Sequence, residues 1–330
     1  MITTTNNSSL VKNTTHKVVI PFYVYAALSF LAATVLLFLS TGAFTQHYFH
    51  PHTLAITHTM ALGWGTMIIL GASHQLVPVL IEARLASVLL AHISFYLAAV
   101  GIPLLVYSFY YLRFDRLAET GAILINASIL VYLVNLLLSM YRSKNRNVHA
   151  VFVLTAAAWL LITTLVGLLL VYNFTGNFLP KDSLQYLSLH AHIGIIGWFL
   201  LLVMGVGSRL IPMFLISKYD DPKRLWLIYY LVNASLVAFI FVFFFNNYPS
   251  SYLMPVAGIV VAIVLFARFC WKAYRLRIRK QVDEQVKISL LSVAMMALPI
   301  LVLLVMIALL VLSDAGSKLV LVYGFSIFFG

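Results

Sequence analysis

Hydrophobic positions in this chain fall in long, nearly unbroken runs, not in amphipathic stripes. The runs cover about 18–43, 53–80, 86–111, 118–141, 148–173, 185–216, 224–247, 251–273 and 287–312. Short polar loops separate them. A helix needs roughly 20 apolar residues to cross about 30 Å of hydrocarbon, and every run is long enough. In lipid the backbone must satisfy its own hydrogen bonds within the segment, so such runs predict helices. The expected fold is all-α, a polytopic transmembrane helical bundle of about nine full spans plus a partial tenth. The tenth begins near Lys318 and has 13 residues up to Gly330, too few to cross. It is expected to be re-entrant or the start of a longer helix. The first run is too long for a signal-peptide core and lacks a small-residue cleavage site after a basic start, so it reads as a retained span.

Two runs share one frame. The first reads His58, Gly63, Trp64, Gly71, Pro78, and the second reads His192, Gly197, Trp198, Gly205, Pro212. All five positions are offset by 134 residues with no gap. This is the mark of an internal duplication. The offset covers four spans, an even number, so both copies insert with the same orientation. The expected organisation is a tail at 1–17, a first four-helix repeat at 18–141, a second at 148–273, and the start of a third at 287–330. His58 and His192 then lie at similar depth, near the same end of parallel helices.

Composition agrees with the pattern. The chain of 330 residues is 63% hydrophobic and 9% charged, against about 25% charged residues in a soluble domain. The net charge of +12 sits in the loops, where it sets topology and does not point to nucleic acid. Sixteen of the 21 basic residues fall on the side of the N-terminus and of the loops after spans two, four, six and eight. Only Arg113, Arg116, Lys181 and Lys318 fall on the other, and Arg209 lies inside a span. This predicts a cytoplasmic N-terminus. The run from Lys272 to Lys280 reads as a stop signal that also touches anionic lipid. The single cysteine, Cys270, allows no internal disulfide. No Cys-x-x-Cys-His occurs, which excludes covalent c-type haem attachment.

Chemistry has few carriers here. The nine acidic residues lie almost entirely in loops, so the embedded carboxylate of a proton-coupled transporter is not evident. No Ser-His-Asp, phosphate-loop or zinc spacing stands out. Most of the ten histidines read as polar residues at helix ends or in loops. His74 and His92 lie deeper and read as packed against a neighbouring helix's hydroxyl. His58 and His192 are matched by the repeat. Two imidazoles on parallel helices at one depth suit the axial positions of a b-type haem. Gly63 and Gly197 are then expected to leave room for a flat macrocycle, and Trp64 and Trp198 to pack on its edge. The bland alternative is that both histidines only bridge helices by hydrogen bonds. His190 stands two residues before His192, and such positions point about 200° apart on a regular helix. His190 is therefore expected to serve a second site on the opposite face, making one or two haems per chain.

The His190-x-His192 pair at the end of a span, with the His58-x4-Gly63-Trp64 stretch in another, resembles subunit I of the haem-copper oxidases. It is most similar to small bacterial relatives near the C-type oxidases and nitric oxide reductases. The resemblance covers the nine spans in general pattern and is specific only at the histidine stretches. It implies twelve helices in three four-helix arcs, with Lys318 to Gly330 opening the third. It also implies low-spin haem ligation by His58 and His192, electron transfer or diatomic-gas chemistry, and an electron donor that is a cytochrome or a quinol. The lipid bilayer and additional subunits are the further partners. The family's copper site does not carry over. Span seven contains no histidine, and position 196, where a redox tyrosine would stand, is Ile. His190, with His52 assisting, is then the remaining candidate for a second iron, and copper and enzymatic activity stay open. The rival reading is a haem-free transporter or sensor of the same repeat architecture.

Overall fold

The structure is a computed structural model that describes residues 14–81, 83–143, 147–246, 248–278, 280–313 and 319–329. Sequence expectations for most of the N-terminal tail, and those that involve Glu82, Lys144, Arg146, Arg279, Asp314, Lys318 and Gly330, lie outside the described residues. Among the described residues nine helices are long and apolar enough to cross a membrane. They are α1 His16–Leu39, α2 Pro51–Ile81, α3 Val88–Tyr110, α4 Arg116–Arg142, α5 Val148–Gly176, α6 Ser183–Phe214, α7 Pro222–Phe245, α8 Pro249–Arg275 and α9 Glu284–Leu309. A short α10, Val320–Phe329, follows. The chain is thus an all-α, multi-pass membrane protein, and each span predicted from the apolar runs is present.

Two compact units divide the chain. The first contains α1 to α4 and ends at Ala150; the second contains α5 to α10 together with residues 42–50. The expected second repeat and the start of the third therefore pack as one body. In the second unit Phe44 meets Phe325 at 5.8 Å and Phe49 stacks on Phe174 at 5.7 Å.

Without a hydrophobic force between helices in lipid, close packing at small residues and buried hydrogen bonds hold such units together. In the first unit α3 and α4 approach at Gly101 and Gly121. A methyl group at Gly101 would lie 2.9 Å from the Gly121 carbonyl oxygen. Ser128 donates to the Ser94 carbonyl at 2.7 Å beside this contact. Asn135 closes the α2–α3 connection by accepting from the Ser87 N–H at 3.0 Å and donating to the Ser87 carbonyl at 2.9 Å. In the second unit the corresponding helices α7 and α8 meet at Ser235 and Gly258.

The duplication is present in these contacts as well as in the sequence. Gly63 faces Ile102, and Gly197 faces Leu236, each pair shifted by the same offset. Gly101 packs against Leu124, and the equivalent pair is Ser235 against Gly258. The small residue has changed helix between the copies while the close approach has been kept.

Candidate functional site

His58 and His192 each end a regular α-helical stretch, Pro51–His58 and Leu187–His192. A π-helical stretch begins at the next residue in both, at Thr59–Thr66 and Ile193–Leu200. The two stretches match residue for residue at the repeat offset. π-Helix is rare and occurs mostly as short bulges, frequently at functional sites. Its two occurrences among the described residues, directly after the two matched histidines, single out those positions.

Each histidine is oriented by its own helix. His58 donates its Nδ1–H to the Leu54 carbonyl at 2.8 Å, and His192 donates to the Ser188 carbonyl at 2.8 Å. A carbonyl oxygen can only accept, so Nδ1 carries the proton and Nε2 keeps its lone pair. This is the tautomer and the support that a metal-ligating imidazole uses. In the first unit the His58 ring meets Phe109 edge-on at 4.7 Å. In the second, His192 lies 5.0 Å from Phe239 and stacks on Tyr323 at 5.8 Å with an interplanar angle of 24°.

His192 lines a cavity of about 590 Å³ within the second unit, inside the range of roughly 300–1,000 Å³ found for cofactor and ligand sites. The walls are mostly apolar and come from α6, α7, α8, α9 and α10, with Phe199, Ile263, Leu303 and Met306 among them. Polar groups enter at the end formed by the α5–α6 and α7–α8 loops, where Lys181, Gln185 and Asn246 lie. Among the described lining residues Lys181 is the only cation, and there is no carboxylate. The cavity wall thus combines an imidazole with a committed Nδ1, a mostly apolar surface and a lysine from the α5–α6 loop.

The remaining sequence candidates fall differently. His190 packs on Gly167 of α5, where a methyl group would lie 3.0 Å from His190 Cε1. It does not line the cavity. His190 and His192 thus meet different neighbours. Gly63 and Gly197 are a correction. A methyl group at Gly63 would lie 2.7 Å from Ser29 Oγ, and at Gly197 2.7 Å from Trp159 Cβ. Their missing side chains admit neighbouring helices, not a macrocycle. Trp64 packs on Phe30 at 5.3 Å. Trp198 is 1% exposed, sits beside Phe199, and is absent from the cavity wall. Neither Trp198 nor Gly197 contributes to that cavity. Gly197 instead meets Trp159 of α5 and Leu236 of α7.

His52 stacks on Tyr110 at 4.1 Å with an interplanar angle of 2°. His74 is fully buried and donates its Nδ1–H to the Leu70 carbonyl at 2.6 Å. Its ring lies between Phe22 at 5.2 Å and Tyr132 at 5.5 Å. The Tyr132 hydroxyl goes to Ser73 Oγ at 2.8 Å, so rings pack on the His74 side chain, and the Thr14 hydroxyl donates to the His74 carbonyl at 2.6 Å. Among the described residues no group of three or more His, Cys, Asp and Glu side chains is placed to hold a metal ion.

Sequence reasoning missed Tyr323, Lys181 and Asn173. Tyr323 sits in a segment too short to read as a span. Lys181 carried a signal as one of only four cations on its predicted side of the chain. Asn173 is 1% exposed and fixes the loop that holds Lys181. It donates to the Lys181 carbonyl at 3.3 Å and to Ser183 Oγ at 3.1 Å, and accepts from the Leu179 N–H at 2.8 Å. No protein-family model matches the chain, and no curated protein matches it.

Proposed function

We propose that the chain is a b-type haem protein of a bacterial inner membrane, related to subunit I of the haem-copper oxidases. In this reading His58 and His192 would each offer the Nε2 lone pair to the iron of a low-spin haem. The observation that supports it most is the shared support of the two rings. Both occupy equivalent repeat positions, both commit Nδ1 to the carbonyl four residues back, and both stand immediately before a π-helical stretch.

Held by these residues, such a group would supply one-electron transfer. The chain's own residues do the rest. Leu54 and Ser188 carbonyls hold the ring planes and favour electron donation from Nε2. The apolar wall of the second-unit cavity excludes water and so bears on the potential. His190, on the other face of α6, is the residue for a second, gas-reactive iron. The donor is a cytochrome or a quinol, and the N-terminus faces the cytoplasm.

Protein purified from haem-replete cells, assayed as its reduced pyridine haemochrome, tests the reading. The expected result is a b-type spectrum. Folded, colourless protein overturns it and leaves the haem-free transporter or sensor.

A further inference from the structure

One exposed stripe of α8 changes character before the helix ends. Val261 and Val264 are exposed on it. Arg268, Lys272 and Arg275 continue the same exposed face, at the three- and four-residue steps that keep side chains on one side of a helix. Arg268 stands seven residues before the end of α8 at Arg275, about 10 Å inside it at 1.5 Å per residue. Trp271 is 58% exposed and stacks on Tyr274 at 5.7 Å. Exposed Trp and Tyr on a span mark the headgroup level, so Arg268, nearly one turn earlier, sits on the hydrocarbon side of it. Among the described residues no ion pair involves Arg268, Lys272 or Arg275. Lys272 is steadied by an aromatic ring, with Nζ 5.8 Å from the centroid of Tyr219. Tyr219 is itself fixed by Phe269 at 5.2 Å and by donating its hydroxyl to Asp221 at 3.1 Å. Like charges one turn apart destabilise a helix, so this stripe calls for an anion from outside the chain.

Topology alone does not account for it. At the repeat offset the three positions are Val134, Leu138 and Tyr141 of α4, all exposed and uncharged. The same helix of the first unit therefore reaches its end with an apolar stripe. We propose that Arg268, Lys272 and Arg275 bind the phosphate of an anionic phospholipid whose acyl chains lie along Val261 and Val264, a site that the equivalent stripe of the first unit does not carry. The proposal is independent of the haem reading. Charge-assisted hydrogen bonds from a guanidinium to a phosphate are stronger than neutral ones, and a headgroup drawn toward Arg268 relieves the cost of an arginine at that depth.

The experiment uses the full chain in detergent, titrated with phosphatidylglycerol or with phosphatidylcholine. Native mass spectrometry counts the lipid that stays bound. Wild type is expected to prefer phosphatidylglycerol. Arg268→Gln and Lys272→Gln are each expected to weaken that preference about fivefold, the size expected for one cation near anionic lipid, and Arg268→Lys to keep it. The double variant Lys218→Gln/Lys223→Gln removes two exposed cations of the same unit that lie outside the stripe, and is expected to leave the preference as it is. Equal binding of the two lipids by wild type overturns the proposal, as does a preference that Arg268→Gln and Lys272→Gln leave unchanged. An equal loss in the Lys218/Lys223 variant shows attraction to charge at large and overturns the assignment to α8.

Discussion

Trp159 donates its indole N–H to the side-chain oxygen of Asn233 at 2.9 Å. At the repeat offset these positions correspond to Tyr25 and Ala99, and there the Tyr25 hydroxyl donates to the Ala99 carbonyl at 3.4 Å. The duplication has kept a hydrogen bond between the first and third helix of each unit while changing both partners. The acceptor moved from main chain to side chain as the donor grew. Trp159→Phe should therefore destabilise the second unit by about 1–2 kcal/mol, and Tyr25→Phe, with the longer bond, should cost less. Unfolding in mixed detergent measures both. Equal costs would show that the longer bond in the first unit is worth as much as the shorter one.

The exchanged small residue predicts a compensated pair. Gly258→Ala places a methyl group on Ser235 Oγ and should cost about 1–3 kcal/mol through overpacking. Ser235→Gly recreates the arrangement of Gly101 against Leu124 and should recover most of that loss in the double variant. The check is a double-mutant cycle. Additive single effects would mean that the two positions are not coupled.

Spectra of three single variants separate the histidines. His58→Ala and His192→Ala should each abolish the low-spin haem signal. His190→Ala should leave it and remove any high-spin or carbon-monoxide-reactive component. The packing of His190 on Gly167, away from the Phe239 and Tyr323 rings beside His192, is the basis. Loss of the low-spin signal in His190→Ala with retention in His192→Ala would reverse the roles.

Asn173 should behave as a latch. Asn173→Ala leaves the Lys181 carbonyl and the Leu179 N–H without their partner. Opening of the loop should become about tenfold more frequent, from the loss of bonds worth roughly 1 kcal/mol each. Limited trypsin digestion after Lys181 in detergent measures it. An unchanged cleavage rate would show that the loop is held by other contacts.

Topology can be read by labelling. With a cytoplasmic N-terminus, a cysteine introduced after Ser143 should be protected from an impermeant reagent in intact cells, and one after Gly176 should be labelled. The opposite pattern would invert the chain.

The sequence by itself determined the spans. Apolar runs of membrane length have no alternative to helix in lipid, because an unpaired backbone group there costs several kcal/mol. The repeat, and with it the pairing of His58 with His192, was also legible, since side-chain identity at fixed spacing needs no coordinates. Tertiary structure alone decided what the small residues were for. A glycine beside a candidate ligand reads equally well as clearance for a cofactor or for a helix, and Ser29 and Trp159 occupy the space at Gly63 and Gly197. The π-helical stretches were invisible as well. They are a feature of the backbone hydrogen-bond ladder, which an apolar run of side chains does not report. Tyr323 and Lys181 came to the wall of His192 from segments more than a hundred residues and about ten residues away along the chain. Such convergence is a property of packing, and spacing along the sequence carries no trace of it.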